Sequence, residues 1–453
     1  MQAYARKLSA LVLDVVSGNL QDIQVGEVKS MAPVDRETVD LTGAREFLTG
    51  ESAEEALAGM LGPDATVTKI KFSTKSFGVE AAGIAAKAIR NVRKSLKHAD
   101  MSDIVAGRPE EEALQALSIL CDALGEAELE SLDLSHNALG EKGIRACAAA
   151  FEHQKYLKKI AFQNVGCSVV ACQALDDLMQ DCQNLRCIHL LNNMSGDLGA
   201  IAIANIISRC PMLEEFRMAS SRVMEKGGQA LAAALMEVES LRVLDLHDNP
   251  LSCKCGMAFA DLVIKQTNLN VLNLNDTCLE DTGIEKLALS LAQGAAQLER
   301  LELELNEITP EGAAELGAAL RTLEKLKYLN LKENELDDDG ALEIAKSIVG
   351  LKNLEEVDVS TNMIKRGGAL AMAKAAIILP NIQKLHMDDN EISEAGIEAL
   401  TSLLERANRL HVLGSLEDNM PDEDDVDEDG AVGHEDLDKA VDDLILSLQN
   451  EHL

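Results

Sequence analysis

Hydrophobic and polar positions alternate along this chain in segments that recur at a nearly constant interval. The segment LESLDLSHNAL, which starts at Leu129, has leucine at its first, fourth and sixth places and asparagine at its ninth. Segments with a similar pattern follow in steps of 28 residues, with one step of 29, and start at Leu157, Leu185, Leu213, Leu241, Leu269, Leu298, Leu326, Leu354 and Ile382. Apolar places two residues apart predict a short strand in each segment.

A helical spacing of apolar residues follows the predicted strands, as in EKGIRACAAAFE and PEGAAELGAALR. Glycine occurs fourteen residues after most of the starts, at Gly143, Gly199, Gly227, Gly283, Gly312, Gly340, Gly368 and Gly396. We expect these small residues to let helix and strand backbones approach closely. Units of this length resemble leucine-rich repeats of the ribonuclease-inhibitor type. The predicted fold class is α/β: a leucine-rich-repeat solenoid, with parallel strands on the concave face of a horseshoe and helices on its convex face.

Both ends of the repeat series need a cap, because a terminal repeat exposes its stacking face. Weaker repeats start at Val67 and Leu96, and residues 41–61 are predicted to form the cap that precedes them. We therefore assign residues 41–416 to the repeat domain. Residues 1–40 form an N-terminal segment without an assignment.

The composition changes sharply after the last repeat. Residues 417–433 are mostly acidic and too poor in apolar side chains to offset the entropy of folding, so we predict a disordered tail. Residues 434–453 carry apolar side chains on one face and predict an amphipathic helix.

The charge of the chain restricts its partners. The formal net charge is −35, from 42 Lys and Arg against 77 Asp and Glu. Such a surface disfavours nucleic acid and anionic membranes, whose phosphates attract cations, and favours a basic protein partner. No stretch is long and apolar enough to span a membrane. We expect a soluble, intracellular protein.

Metal and enzyme chemistry find little support in the sequence. The ten cysteines form no paired framework, and Cys253 and Cys255 are too isolated for a zinc site. His189 and His386 share a strand position through the repeat register, so we expect no metal site and no cofactor there. Phosphate-binding loops and nucleophile motifs are absent.

One asparagine departs from the repeat pattern. Asn164 is the eighth residue of its segment, and Val165 occupies the ninth place, where seven of the other nine segments have asparagine. Two interpretations remain open. Either the Asn164 side chain is free where the chain leaves the strand, or the asparagine has slipped by one place and still serves the turn.

One repeat is longer than the others. The step from Leu96 to Leu129 is 33 residues, and the extra stretch carries AGRP followed by three glutamates. The arginine of this stretch, Arg108, has five donors that suit acidic groups. It could form an ion pair with the neighbouring glutamates, hold an enlarged loop or meet a partner.

Four motifs in the early repeats, together with the acidic tail, resemble one family. These motifs are KIKFSTKSFG (69–78), LKHADMSDIVAGRPEEEAL (96–114), LDLSHNALGEKGIRA (132–146) and LLNNMSGDLGAIAIA (190–204). They are similar to the Ran GTPase-activating proteins, particularly those of plants and algae, over roughly residues 40 to 430. The SDIxxGR segment inside the enlarged repeat is the most specific of them.

The resemblance implies a function and a site. Family members bind Ran in its GTP form, in some cases with a Ran-binding protein, and accelerate hydrolysis in the active site of Ran itself, in support of nucleocytoplasmic transport. An asparagine, rather than an inserted arginine, helps to place the glutamine of Ran that orients water, and Asn164 is the matching residue. Arg108 matches the arginine of the SDIxxGR motif and would support the loop or contact Ran.

Further contacts and departures follow from the same resemblance. The expected partner-binding residues are Lys75, Asp103, His136, Asn192 and Asn193. Related plant sequences have arginine where this chain has lysine in STKSFG, which keeps the charge but loses the bidentate geometry. Because the chain has no tryptophan, the Trp-Pro-Pro targeting domain of plant members is not expected.

A non-catalytic binding scaffold or inhibitor is the alternative function. Such a protein would use aromatic anchors on the strand face, and Tyr328 is the clear candidate. It would bind its partner tightly without changing any rate.

The acidic tail gives a first testable prediction. Removing residues 421–433 of the acidic tail is expected to slow association with Ran more than turnover, especially at low salt, because long-range attraction is screened by ions. Stopped-flow association and single-turnover hydrolysis at several salt concentrations measure the two effects. Equal effects on both at every concentration would contradict the prediction.

Overall fold

A computed structural model describes residues 37–152 and 154–420. Within this part, thirteen short strands form one parallel sheet, in which neighbours follow each other along the chain. Two further strands, Glu46–Leu48 and Lys75–Phe77, pair with each other in a separate sheet. The predicted α/β leucine-rich-repeat solenoid is confirmed. The predicted helix over 434–453 lies outside the described residues, as do most of the predicted tail and nearly all of the N-terminal segment.

Each strand of the solenoid is three residues long. The strands are β1 (Thr38–Asp40), β2 (Glu46–Leu48), β3 (Lys69–Lys71), β4 (Lys75–Phe77), β5 (His98–Asp100), β6 (Ser131–Asp133), β7 (Lys159–Ala161), β8 (Cys187–His189), β9 (Glu215–Arg217), β10 (Val243–Asp245), β11 (Val271–Asn273), β12 (Arg300–Glu302), β13 (Tyr328–Asn330), β14 (Glu356–Asp358) and β15 (Lys384–His386).

Helices connect successive strands and pack on the helices of adjacent repeats. They are α1 (Gly50–Ala56), α2 (Ala58–Leu61), α3 (Val79–Val92), α4 (Glu110–Gly125), α5 (Gly140–Ala146), α6 (Val169–Leu178), α7 (Gly196–Ile207), α8 (Glu225–Leu235), α9 (Gly256–Lys265), α10 (Glu280–Gly294), α11 (Pro310–Leu320), α12 (Asp337–Ile348), α13 (Arg366–Ile378) and α14 (Glu394–Arg406). Short 3-10 turns lie at Ala148–Ala150, Cys253–Cys255 and Leu410–Val412.

The apolar places of the repeat form one continuous core. Leu129, Leu132 and Leu134, at the first, fourth and sixth places of their segment, are all buried, as the alternating pattern predicts. Leucine, isoleucine, alanine and a few phenylalanines fill the space between sheet and helices. Burial of this aliphatic surface is the main force that holds adjacent repeats together.

In seven repeats, asparagine at the ninth place provides hydrogen bonds to the turn that follows the strand. The Nδ2 group of Asn306 donates to the carbonyl oxygens of Leu274 and Glu304 at 2.7 and 3.0 Å, and its Oδ1 accepts from the amides of Thr277 and Leu279 at 3.3 and 3.1 Å. The same role is played by buried asparagines at Asn137, Asn193, Asn249, Asn334, Asn362 and Asn390. Their side chains replace hydrogen bonds that buried backbone groups need.

Three of the eight repeated glycines, Gly227, Gly312 and Gly368, have a different role from the one expected, because each lies against an aspartate of the preceding helix. A Cβ atom on Gly368 would lie 2.7 Å from Oδ1 of Asp338 in the preceding helix and 2.8 Å from Cγ2 of Ile364 in its own turn. Asp338 Oδ1 accepts hydrogen bonds from the amides of Lys365 and Gly368 at 2.9 and 2.6 Å. The glycine therefore admits an aspartate that caps the next helix, rather than a close strand backbone.

Both borders of the solenoid differ from the sequence assignment. Strand β1 pairs with β3, so the sheet begins at Thr38, before the predicted border at residue 41. At the other end, Asn419 Oδ1 accepts from the amide of Asn390 at 3.1 Å, and the amide of Asp418 donates to Asp388. The asparagine series thus continues beyond residue 416, because the acidic stretch starts with the turn that closes the last repeat.

The asparagine series can be tested by one substitution. Asn306→Ala leaves four buried backbone groups without their partner, so we expect it to lower the free energy of unfolding by about 1–3 kcal/mol. The exposed Asn381, which bonds one carbonyl, is the matched control, and Asn381→Ala should cost about 0.5 kcal/mol or less. Urea unfolding of both variants measures the difference, and equal losses would refute this role for the ninth place.

Candidate functional site

Every described repeat turns through a left-handed residue at its eighth place, immediately before the buried ninth place. The φ angles of these residues lie between 48° and 69°, at Thr74, Asp103, His136, Asn164, Asn192, Ser220, Asp248, Asp276, Leu305, Glu333, Thr361 and Asp389. From Asp103 to Thr361, the amide of each donates to the next repeat, as from His136 to the carbonyl of Gln163 at 2.7 Å and from Asn164 to that of Leu191 at 2.9 Å. We call this row of residues the strand-exit row.

Asn164 stands in this row, and its side chain is exposed. Val165, in the ninth place, is fully buried, and its amide donates to Oδ1 of Asn193 at 3.3 Å. The repeat has therefore not slipped by one place, which favours the first of the two interpretations. Asn164 Oδ1 accepts a hydrogen bond from Nδ2 of Asn192 at 3.4 Å, while within the described residues its own Nδ2 has no hydrogen-bond partner.

An open groove of about 440 Å³ lies beside this pair of asparagines. Its lining also includes Arg222, an exposed arginine with a φ of 58° that the sequence analysis did not single out. In the described part of the chain, Arg222 has no ion-pair partner. Its position at the tenth place of a repeat, next to the strand-exit row, is the signal that could have identified it.

Arg108 is enclosed by the N-terminal cap. Its Nε donates to the hydroxyl of Ser76 at 3.0 Å, its Nη2 to the carbonyls of Ser76 and Leu48 at 2.8 and 3.4 Å, and its Nη1 to Glu112 at 3.2 Å. The ring of Phe47 lies 5.0 Å from its guanidinium carbon, and only 16% of the side chain is exposed. The predicted ion pair with a neighbouring glutamate is thus one part of a larger set of contacts that joins the enlarged loop to β2 and β4.

Lys75 and Asp103 are also engaged with the cap. Lys75 Nζ donates to the carbonyl of Ala44 at 2.9 Å and lies 3.3 Å from Glu46, with 14% of its side chain exposed. Asp103 pairs with Arg45, and 15% of its side chain is exposed. In this arrangement both residues stabilise the first repeats, and their expected contacts with a partner stay predictions.

The other three residues predicted to contact a partner differ in their exposure to solvent. His136 and Asn192 are exposed on the strand-exit row, and His136 lines a second groove, of about 780 Å³, together with Arg108 and Lys142. Asn193 is buried, and its Nδ2 donates to the carbonyl of Phe162 at 2.8 Å. The structure does not support Asn193 as a contact residue, because its side-chain amide is already hydrogen-bonded to backbone groups in the turn that follows Asn164.

The strand face carries a polar cluster that sequence reasoning missed. His189 Nε2 lies 3.1 Å from Cys187 Sγ and 2.8 Å from Glu215 Oε1, and Arg217 bridges Glu215 and Asp245. The hydrogen bond from His189, followed by that from Arg217, lowers the pKa of Glu215 to about 2. Burial is the main cause that raises the pKa of Cys187 to about 12. All these residues occupy the third or fifth place of their segments, which is the signal that could have revealed them.

The aromatic candidate for a binding scaffold is already covered. The guanidinium carbon of Arg300 lies 3.5 Å from the ring centroid of Tyr328, and Arg300 also pairs with Glu302. A stacked arginine occupies the face that an aromatic anchor would offer to a partner.

Comparisons with known proteins agree with this architecture. A family model described as Leucine Rich repeat matches residues 129–146, 265–288, 297–317 and 322–345. The ribonuclease inhibitor of Sus scrofa is 28% identical over 202 residues, which cover 44% of this chain and 38% of that protein. Both matches support the leucine-rich-repeat solenoid described above.

The relatives with higher identity come from a plant. RAN GTPase-activating protein 2 and RAN GTPase-activating protein 1 of Arabidopsis thaliana are 42% and 40% identical over 164 and 161 residues. Each match covers 35% of this chain and 30% of the relative, so the chain spans less than a third of the curated relatives it matches. The predicted resemblance to plant Ran GTPase-activating proteins is confirmed over that stretch. Among the described residues, no helix combines the length and apolar character needed to cross a membrane.

Arg108 gives a test of how the cap is held. Arg108→Ala removes several charge-assisted hydrogen bonds from a mostly buried side chain, so we expect a loss of at least about 1.5 kcal/mol in unfolding free energy. Amide hydrogen exchange in Glu46–Leu48 and Lys75–Phe77 should accelerate. Arg145→Ala, which breaks half-exposed ion pairs, is the control and should cost about 0.5 kcal/mol or less. Unchanged exchange in both strands would argue against a structural role of Arg108.

Proposed function

We propose that this protein accelerates GTP hydrolysis by the small GTPase Ran. Two observations support the proposal: the similarity to plant Ran GTPase-activating proteins over a third of the chain, and the exposed Asn164. The second carries it, because Asn164 is held in a fixed left-handed turn yet is not needed by the buried asparagine series. A rigid turn that presents a free amide at a surface edge suits the positioning of a partner's group.

The proposed mechanism places groups of Ran rather than supplying a new reacting group. Asn164 Nδ2 would donate to the glutamine of Ran that orients the attacking water, and Asn192 would hold Asn164 through its bond to Oδ1. Docking along the strand-exit row would also exclude bulk water from the site. Positioning and exclusion of water both lower the barrier without a covalent step on this chain.

Of the two arginines near the proposed binding surface, Arg108 has a structural role and Arg222 is available to a partner. The donors of Arg108 are occupied by Ser76, Leu48 and Glu112, so insertion into a partner would break the cap. Arg222, in the same groove as Asn164, is the arginine that a docked partner could reach. We propose that it meets an anionic group on Ran and strengthens binding.

The cellular setting belongs to the same proposal. We infer that the protein acts as a monomer on Ran in its GTP form, with or without a Ran-binding protein, and serves nucleocytoplasmic transport from the cytoplasm or the perinuclear region. A non-catalytic scaffold is the competing function. It has less support, since Tyr328 is covered by Arg300.

Single-turnover hydrolysis of GTP by Ran, with catalytic amounts of this protein, tests the proposal. Asn164→Gly removes the side chain but keeps the left-handed turn, so a loss in rate reports the amide rather than strain. We expect a decrease of at least about 100-fold, comparable to the loss of one oriented donor at an active site. Thr361→Gly, at the same place seven repeats later and outside this groove, is the matched control and should change the rate little.

Binding of Ran must be measured beside the rate. If Asn164→Gly abolishes acceleration while Ran still binds, the positioning role holds. Arg222→Ala should weaken binding and leave the rate at saturation largely unchanged. Tight binding by the unmodified protein without any acceleration would overturn the proposal in favour of the scaffold.

A further inference from the structure

Three side chains with metal-binding chemistry meet on the strand face, away from the strand-exit row. Cys187 and His189 are two residues apart on β8 and project to the same side, and Glu215 is the register partner of Cys187 on β9. Their donor atoms Sγ, Nε2 and Oε1 all lie within 4.8 Å of one another. In the described residues no other group of three such side chains is as close.

We propose that Cys187, His189 and Glu215 bind a zinc ion whose fourth position is open to solvent. Thiolate, imidazole and carboxylate are the ligand types that zinc takes in proteins, and three protein ligands with an open position form a known class of zinc site. The sulfur and nitrogen donors disfavour Ca²⁺ and Mg²⁺, which require oxygen. This assignment replaces our sequence-based expectation of no metal site, which considered the histidine row without its neighbours.

The geometry needs only a small adjustment. Around a tetrahedral zinc with bonds of about 2.0–2.3 Å, neighbouring donor atoms lie about 3.3–3.6 Å apart. The observed separations are 3.1 Å between Cys187 Sγ and His189 Nε2, and 2.8 Å between His189 Nε2 and Glu215 Oε1. Rotation of the side chains can widen these distances, while the paired strands keep the Cα positions fixed. The ion would replace two hydrogen bonds that already converge on Nε2.

Charges around the cluster are compatible with the ion. A thiolate and a carboxylate neutralise the two charges of zinc. Arg217 contacts the same Oε1 atom of Glu215, but its Nη1 also bonds Oδ2 of Asp245 at 2.9 Å. Asp245 is 5% exposed and is further held by His247 at 2.7 Å. Arg217 can therefore release Oε1, keep its ion pair with Asp245 and orient the other oxygen of Glu215.

A second histidine–glutamate pair, which contains His386, lacks the thiol that completes the cluster around His189. His386 Nε2 lies 3.0 Å from Glu356, but this glutamate comes from the preceding strand rather than the following one, and no cysteine joins the pair in the described structure. Only the earlier pair has a thiol as third donor. Zinc there would join β8 to β9, directly below the turn that carries Asn192.

Titration of the full-length, metal-stripped protein with Zn²⁺ tests the site, independently of Ran and of the proposed function. Isothermal calorimetry should show saturable one-to-one binding. Co²⁺ should give a thiolate-to-cobalt absorption band in the near ultraviolet. Cys187→Ser and Glu215→Gln, which preserve side-chain shape, should each weaken Zn²⁺ binding by more than about 100-fold, beyond the usual effect of losing an outer partner of a ligand.

Cys253→Ser is the control, because Cys253 is partly exposed and lies outside the cluster; its Zn²⁺ binding should be unchanged. Thermal unfolding without metal establishes that each variant is folded. Zinc should raise the melting temperature of the unmodified protein and of Cys253→Ser, but not of Cys187→Ser. Absence of saturable Zn²⁺ binding, binding that survives in Cys187→Ser, or one-to-one binding of Cu²⁺ without Zn²⁺ would overturn the zinc assignment.

Discussion

One constraint organises each repeat: the chain leaves its strand through a buried turn, where backbone amides and carbonyls must find partners away from water. The asparagine at the ninth place supplies them, as Asn306 does for groups of its own and the preceding repeat. Because its amide reaches across the repeat border, the same side chain satisfies the turn and fixes the register. The strands can then be as short as three residues, since the turns and the aliphatic core hold them in place.

The buried ninth place determines what its neighbour can do. With the ninth residue pointing inward, the backbone at the eighth place adopts a left-handed conformation and presents its side chain at the surface. The solenoid thus displays one variable side chain per repeat in a line, on rigid turns. Selection can alter the chemistry of this line without disturbing the core. At Asn164 the exposed eighth place has no part in the buried asparagine series, because Val165 fills the ninth place with an apolar side chain.

The N-terminal end uses its cations for structure. Arg45, Lys75 and Arg108 each pair with a carboxylate in the cap or the enlarged repeat, and the last two are mostly buried. These residues hold β2 and β4 beside the main sheet and close the end of the solenoid. Acidic side chains outnumber basic ones in this protein, so most cations can find an acidic partner within the chain. An arginine without an ion pair in the described structure, such as Arg222 beside Asn164, is therefore a stronger candidate for contact with a partner.

Much of the fold was determined by the sequence alone. A period of 28 residues with fixed apolar places specifies strand, turn and helix, because local spacing decides which side chains face inward. The asparagine series and the unusual position of Asn164 could be predicted from the sequence for the same reason. Both depend only on the place of a residue within its repeat. The role of glycines such as Gly368 could not be predicted in this way, because the aspartate that approaches Gly368 comes from the preceding helix.

Only the tertiary structure decided what depends on contacts between repeats. The sequence did not reveal that Arg108 donates to Ser76 and Leu48, which are far away along the chain. Nor did it reveal that the side chain of Asn193 is hydrogen-bonded within the turn of the preceding repeat. It also could not bring Glu215 to Cys187 and His189, because pairing of β8 with β9 creates that proximity. Periodicity fixes which way a side chain points; stacking of the repeats fixes what it meets there.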